Sequence, residues 1–356
     1  MFWYVFIAMA PSILGLIPYS LNKRSSLAPT TIKKIYVVAC SFVVFLMIAL
    51  RHYSLGSVDS MNYYNIWIYM REASPSLLEI YMESNRMEPT FLAVVWGLAR
   101  VFEHPQFMFV LSGALFAIAI GVFVYKNSEN PLLSMTMFIC LGLYIFMVQG
   151  LRQSISISIC LFAVEYCKRR KLIRFLVLVF LASLFHRTAV VFLLVYVLYG
   201  RKLTINTKAL MFAIPVILIV YTPFIITTAN TVLDRDYNTA AETSGAIVAS
   251  LIYVIILAFA YVYLNERNSG KKEAFFVAFT MLGASFYLLR YIGTQAIERT
   301  SFYFLIGQAI VLPDTIKRFN KKSQNIINFA AILLSVVLFI YRIYTSYTIP
   351  FLFFWQ

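Results

Sequence analysis

The chain has few acidic residues. Its 356 residues include 15 aspartates and glutamates against 30 lysines and arginines, and only 13% of residues are charged whereas 61% are hydrophobic. A soluble protein of this composition would lack a polar shell, which excludes the soluble globular class. The net charge of +15 lies mostly in short segments between apolar runs, where anionic lipid headgroups account for it without nucleic acid. We therefore predict an all-α polytopic membrane protein.

Other absences exclude whole kinds of chemistry. The four cysteines (Cys40, Cys140, Cys160 and Cys167) all lie in apolar segments, so no disulfide framework is indicated. No Gly-rich phosphate loop precedes a helix and no zinc-type Cys/His spacing occurs, so we predict neither a cofactor nor a metal. The first apolar run, 2–21, has no basic segment before it and no cleavage motif, which indicates a retained span. The longest inner loop, 22–34, is too short for a nucleotide-binding domain, which argues against chemistry powered by cytosolic ATP.

The apolar runs predict about 12 transmembrane helices in a single integral membrane domain, 1–356. Placing basic loops in the cytoplasm puts every lysine in an inner segment or at its border. The predicted crossings are 2–21, 35–50, 106–125, 131–149, 152–167, 172–186, 188–200, 208–228, 245–264, 274–292, 301–317 and 325–346.

Two places depart from simple crossings. The chain must cross the membrane an odd number of times between the outer loop and the next strongly basic inner loop. The short segment 88–102, which carries Arg100, is therefore predicted to be a re-entrant or interfacial helix and not a crossing. Such half-spanning segments are tolerated mainly where they line a polar cavity. The run 172–200 is interrupted by His186 and Arg187, and a break at that point keeps the later basic loops inside. Each half then has about 15 residues, short of the ~20 that a full span needs.

The cations left near the outer face are all arginines, although positive-inside bias should deplete lysine and arginine alike. Arginine has a planar, permanently charged fork that binds phosphate through two parallel hydrogen bonds. An outer cluster of arginines therefore indicates a phosphate or pyrophosphate site. These residues are Arg51, Arg71, Arg86, Arg152, Arg187, Arg235, Arg290 and Arg299.

The outer loop 51–88 is predicted to form part of an active site. Its aromatic side chains and one carboxylate, Asp59, suit a sugar-binding surface, with Tyr63, Tyr64 and Trp67 stacking on pyranose rings. An interfacial aromatic belt is the alternative for the three rings, and an ion pair with Arg51 is the alternative for Asp59. Glu88 precedes a proline at a helix start, where it either caps the helix or serves as a functional carboxylate.

Three later segments carry candidate functional residues. Arg152 and Gln153 follow Gly150 in the first turn of an outward-facing helix, where free amides attract anions. Arg152 is predicted to bind the pyrophosphate and Gln153 to bind the sugar. His186 and Arg187 form an ionisable pair within apolar sequence, which is expensive unless it has a function. Histidine also suits proton transfer near neutral pH, so His186 is our preferred general base over Glu88 and Asp59. Arg290 and Arg299 come close to one outer turn and are candidates for a pyrophosphate clamp.

These residues together resemble the EpsG-like family of Wzy-type polysaccharide polymerases. The resemblance extends over about 35–305, and Arg187 departs from the usual family pattern. It implies a GT-C-like polymerase architecture and a metal-independent membrane glycosyltransferase. The motifs that carry it are Arg51 with Asp59 and Tyr63/Tyr64, Glu88-Pro89-x-Phe91, Arg152-Gln153, Phe185-His186-x-Thr188-Ala189, and Glu298-Arg299 with Tyr303.

The implied activity is polymerisation of oligosaccharide repeat units carried on a polyprenyl pyrophosphate such as undecaprenyl pyrophosphate. It would take place at the outer face of the bacterial cytoplasmic membrane, in capsule, exopolysaccharide or O-antigen biosynthesis. Implied partners are the lipid-linked oligosaccharide, membrane lipids and a chain-length regulator. The alternatives are a lipid-linked oligosaccharide flippase, an O-antigen ligase and a membrane O-acetyltransferase. A flippase should show polar residues at both faces and internal repeats, whereas the polar residues here crowd at one face.

Overall fold

The computed structural model describes residues 1–24, 26–73, 76, 78–79, 87–202, 204, 246–263, 270–288, 295–346 and 351–356, with a few isolated positions between 209 and 221. Within these ranges the chain is helical and forms no β-strand beyond one isolated bridge, so the all-α prediction is confirmed. The described residues form two compact units, Met1–Val190 with Asn328–Gln356, and Val191–Ile327.

The first unit contains ten helices in its described part and most of an eleventh. Prolines begin three of them, at Pro29, Pro89 and Pro131, where the missing N–H leaves no hydrogen bond unmade. The helices are α1 (Phe2–Leu14), α2 (Leu16–Arg24), α3 (Pro29–Ala49), α4 (Ser57–Glu72), α5 (Pro89–Val101), α6 (Gln106–Asn127), α7 (Pro131–Cys140), α8 (Leu143–Gln149), α9 (Leu151–Lys168), α10 (Leu172–Phe185) and most of α16 (Lys321–Ser346).

The second unit contains five further helices in the described residues. Its core is aromatic: Phe279 and Phe286 both pack against Phe304, with ring centroids 5.6 and 5.9 Å away. In the same unit Lys272 Nζ lies 3.4 Å from a carboxylate oxygen of Asp314. The helices are α11 (Leu193–Leu198), α12 (Ala246–Tyr263), α13 (Lys271–Leu288), α14 (Gln295–Leu305) and α15 (Gln308–Ile316).

Three of the described helices, α3, α6 and α16, are long and apolar enough to cross a membrane, and the bent pair α7–α8 makes a fourth if it is one span. The chain is therefore a membrane protein, while the remaining crossings of the predicted twelve stay predictions. Several are too short as helices: the 14 residues of α10 extend only about 21 Å against a ~30 Å hydrocarbon core. The predicted crossing 301–317 is divided between α14 and α15.

Both predicted interruptions of helical structure are visible. Helix α10 ends at Phe185, and a 3₁₀ helix spans Arg187–Phe192, so the break at His186–Arg187 is confirmed. The segment predicted to be re-entrant or interfacial forms the 13-residue helix α5, about 20 Å long and so too short to span. A further break, unforeseen from sequence, bends α7 and α8 by 50° at Gly142, whose φ of 98° is accessible mainly to glycine.

The first unit has a lysine end and an arginine end. At the lysine end Lys33 Nζ donates to the carbonyl of Ser128 (2.7 Å), and Lys168 Nζ donates to Asn127 Oδ1 (2.7 Å). At the opposite end of α3 and α6, the Gln106 amide donates to the carbonyl of Arg51 (2.9 Å). In the described part of this unit the lysines thus lie at one end, together with Arg169 and Arg170, whereas Arg51, Arg71 and Arg152 lie at the other.

The predicted outer loop 51–88 contains a helix that our sequence interpretation missed. Helix α4 fills Ser57–Glu72 and buries Ser60, Tyr63, Trp67 and Met70. That spacing of three and four residues is the pattern of one helix face. The signal was present, but the polar and aromatic composition of the segment favoured an interfacial loop.

Cysteine labelling tests which end faces the cytoplasm. The native cysteines are all buried and should not react with a membrane-impermeant thiol reagent. Exposed Asn62 of α4 and exposed Lys271 at the start of α13 are suitable substitution sites. We expect Asn62→Cys to be labelled from outside intact cells and Lys271→Cys only in inverted vesicles. Labelling of both from one side would contradict the predicted topology.

Candidate active site

Several of the predicted site residues meet in one polar cluster of the described first unit, and Glu88 lies at its centre. It is the residue before α5, but its side chain makes no capping hydrogen bond to that helix. The carboxylate instead reaches across the chain: Oε2 pairs with Arg152 Nη1, and Oε1 lies 3.3 Å from both His186 Nδ1 and the backbone nitrogen of Arg187. Residues about 64 and 99 positions apart thus meet on one carboxylate.

Arg152 lies where the sequence predicted an anion site, in the first turn of α9. The anion that it binds in this structure is the Glu88 carboxylate. Its Nε also donates to the hydroxyl of Tyr63 (3.3 Å), and its guanidinium carbon lies 5.9 Å from the centre of that ring. An arginine in the first turn of α9 therefore holds a carboxylate, the sign of charge that a helix N-terminus favours.

The break between α10 and the 3₁₀ helix positions His186 and Arg187. The backbone of His186 is extended (φ −156°, ψ 113°), which turns the chain out of the helix and brings the Arg187 N–H to Glu88. The His186 side chain is 15% exposed, and Arg187 is exposed. Nδ1 of His186 is buried and not well aligned for a hydrogen bond, but the carboxylate is the charge that faces it.

This arrangement defines what each group can do. An imidazole nitrogen that faces a carboxylate carries the proton in the neutral ring, so Nε2 is left as the proton acceptor of His186. Burial raises the pKa of the Glu88 carboxyl, but the close contact with His186 and the charge of Arg152 outweigh it and lower the pKa to about 2. Glu88 is therefore an ionised, weak base at neutral pH, suited to orienting its partners.

The outer arginines Arg51 and Arg71 have structural contacts. Arg51 is 1% exposed, donates to the carbonyl of Val148 (2.7 Å) and to the Ser60 hydroxyl (3.1 Å), and lies over the ring of Phe109. Arg71 donates to two carbonyls at the C-terminal end of α5. In this conformation Arg51 offers no surface to a pyrophosphate, because its guanidinium is enclosed by protein.

The C-terminal residues 351–356 lie at this same end. Phe353 forms a bridge with Arg51, and the backbone N–H of His52 donates to the carbonyl of Leu352 (2.9 Å).

The predicted sugar-binding residues are divided between core and surface. Trp67 is 0% exposed and Tyr63 and Gln153 are buried, so none of them presents a face for stacking in this conformation. Tyr64 is half-buried and stacks on Tyr53 with centroids 4.0 Å apart. Asp59 is half-buried in the first turn of α4, four residues before Tyr63, and so on the same helix face.

The predicted clamp residues Arg290 and Arg299 are not among the described residues of the first unit. Arg290 lies outside the described residues, and half-buried Arg299 belongs to α14 of the second unit. Their participation stays a prediction. Among the described residues no group of three or more His, Cys, Asp or Glu side chains is placed to hold a metal ion.

Spanning helices, short broken helices and a partly buried carboxylate–arginine–histidine cluster define a helical membrane protein with a polar site at one end of its first unit. The sequence model of the EpsG family matches residues 34–354, nearly the whole chain, so the protein belongs to the EpsG family. Wzy-type polymerases are the known kind for this family, and membership associates the chain with polysaccharide biosynthesis. No curated protein and no solved structure matches the chain.

Proposed function

We propose that this protein polymerises oligosaccharide repeat units carried on a polyprenyl pyrophosphate, and that the Glu88–Arg152–His186 cluster is its reaction centre. The observation that carries the proposal is the convergence of these three residues with the exposed Arg187 beside them. An ionised carboxylate, an oriented imidazole and two arginines are the groups that a glycosyl transfer with a pyrophosphate leaving group requires. The proposed location is the outer face of the cytoplasmic membrane.

In the proposed reaction the acceptor hydroxyl oxygen attacks the anomeric carbon of the donor sugar. Nε2 of His186 takes the hydroxyl proton as the new glycosidic bond forms. The bond between the anomeric carbon and the pyrophosphate oxygen breaks, and the electron pair leaves with the lipid pyrophosphate. Glu88 stabilises the imidazolium that forms and holds the ring in place, as a carboxylate partner does in a catalytic triad.

The arginines neutralise the charge that develops on the leaving group. Arg187 is the best placed of the described candidates, because its side chain is exposed while its backbone N–H is held by Glu88. Arg152 has one nitrogen on Glu88 and one on Tyr63, and its remaining donors bind the same leaving pyrophosphate as Arg187. Asp59 and Tyr64 contribute the nearby sugar surface, and Arg290 and Arg299 complete the clamp in this proposal.

Replacing Arg187 with lysine tests the pyrophosphate assignment. Lysine keeps the charge but loses the planar fork, so we expect polymerisation by purified protein on lipid-linked repeat units to fall about tenfold or more, the value of one charge-assisted hydrogen bond. Arg100→Lys is the matched control, because Arg100 is an exposed arginine of α5 outside the cluster. Normal activity of Arg187→Lys would remove Arg187 from the clamp.

Glycan length in a strain that lacks the gene separates the proposed activity from its alternatives. We expect single repeat units at the surface in place of long chains. Loss of all surface repeats would instead indicate a flippase, unligated long chains an O-antigen ligase, and loss of acetyl groups alone an acetyltransferase.

A further inference from the structure

An apolar groove lies between α3 and α6, away from the candidate active site. Its volume is about 440 Å³ and its wall is almost entirely apolar. Both helices are candidate membrane spans, and both belong to the first unit. The rims are among the most exposed apolar side chains of these helices, with Val38 at 58%, Phe42 at 56% and Ile118 at 58% exposure. The groove therefore opens towards the surroundings of the spans and not into the protein core.

The length of the groove matches one leaflet of a bilayer. Along α3 it runs from Lys34 to Phe45, and along the antiparallel α6 it runs from Tyr125 back to Ala114. Eleven residues of helix extend about 16 Å, which is close to half of the ~30 Å hydrocarbon core. A groove that stops at mid-membrane accommodates one acyl chain from one leaflet.

The two ends of the groove differ in chemistry. Lys34 and Tyr125 line one end, and the apolar side chains of Phe45 and Ala114 line the other. Lys33 is already engaged, since its Nζ donates to the carbonyl of Ser128. Lys34 is exposed, and no hydrogen bond or ion pair to it occurs in the described part of the chain. One uncommitted cation thus stands where the headgroup of a lipid in the groove would lie.

We propose that this groove is a binding site for an anionic glycerophospholipid, with one acyl chain between α3 and α6 and the headgroup phosphate on Lys34. The charge complementarity selects an anionic lipid over a zwitterionic one, because a basic residue near a membrane surface adds about 1 kcal/mol of attraction for anionic lipid. The predicted topology puts Lys34 on the cytoplasmic side, so the lipid comes from that leaflet. The site is separate from the proposed polymerisation chemistry, which lies at the arginine end of the unit.

Native mass spectrometry of the purified protein in mild detergent tests the proposal, with phosphatidylglycerol and phosphatidylcholine titrated separately. We expect one tightly retained phosphatidylglycerol per chain, bound about fivefold more tightly than phosphatidylcholine, in line with ~1 kcal/mol per basic residue. Lys34→Gln should abolish this preference. Lys171→Gln, which removes another exposed lysine, should preserve it.

A second pair of variants tests the acyl-chain contact without touching the core. Phe42→Ala removes an exposed part of the groove wall and should weaken both lipids at least threefold, since apolar contact area is lost. Phe329→Ala removes an exposed ring from α16, which lies outside the groove, and should leave binding unchanged. Equal affinity of the wild type for both lipids, or a preference that survives Lys34→Gln, would overturn the proposal. Equal losses from the two phenylalanine variants would also overturn it.

Discussion

His186→Ala is expected to lower the rate of polymerisation by about 10²- to 10⁴-fold, the range that general acid–base catalysis contributes, while substrate binding stays largely intact. The physical reason is that Nδ1 of His186 faces the Glu88 carboxylate, so that Nε2 is the nitrogen left to accept the proton of the acceptor hydroxyl in the proposed reaction. The measurement is turnover and binding of lipid-linked repeat units by the purified variant.

His104→Ala is the matched control for this experiment. His104 is exposed, and its ring nitrogen Nδ1 accepts a hydrogen bond from the backbone N–H of Gln106 just before α6, so its removal should leave the rate unchanged. Glu88→Gln should impair binding or geometry more than chemistry. If His186→Ala instead retains near-normal turnover and Glu88→Gln binds substrate without turnover, the base is Glu88 and the assignment to His186 is wrong.

Glu88→Gln is expected to destabilise the fold by about 3 kcal/mol, because it leaves the guanidinium of Arg152 partly buried without its counter-charge. The double variant Glu88→Gln/Arg152→Met should recover much of this loss, since both charges are then gone. Thermal unfolding in mild detergent can be followed with a thiol-reactive dye, because the four cysteines are buried in the folded protein. Glu103→Gln removes the partner of an exposed pair with Arg71 and should cost less than ~1 kcal/mol.

The contacts of Glu88 with His186 and Arg152 make stability depend on acid pH. A carboxyl with a folded-state pKa of about 2 and an unfolded value of about 4.3 contributes its full stabilisation above pH ~4.3. That contribution is lost as the pH falls through about 2. The stability difference between the wild type and Glu88→Gln should therefore shrink across this window. A difference that stays constant from pH 5 to pH 2 would contradict the assigned contacts of Glu88 with His186 and Arg152.

Sequence reasoning found the members of the cluster but assigned them separate roles. Glu88 was predicted as a helix cap or a functional carboxylate, Arg152 as an anion site and His186 as a base. The structure shows that one carboxylate holds the other two. No spacing rule predicts such a meeting, because the three residues come from different helix ends and only packing brings those ends together.

For the aromatic residues the sequence interpretation made the opposite error, because it grouped side chains that the structure separates. Tyr63, Tyr64 and Trp67 were one sugar-binding group in the sequence interpretation, yet Trp67 is fully buried and Tyr63 supports Arg152. In a membrane protein a ring at an interface and a ring in the core have the same composition signal. Only the helical spacing of Ser60, Tyr63, Trp67 and Met70 separates the two, and it predicts the buried face of α4.

The sequence by itself determined the helical membrane class, the break at His186–Arg187 and the confinement of the lysines to alternate loops. These properties depend on composition and local order: apolar runs need hydrogen bonds within the helix, and charge in short loops follows the membrane surface. Tertiary structure alone decided which arginines are structural and which are exposed. Arg51 and Arg187 are the same residue type, but Arg51 is enclosed by Ser60, Phe109 and Val148, whereas Arg187 is exposed at a helix break. Burial depends on the neighbours that pack around a residue and not on the residue itself.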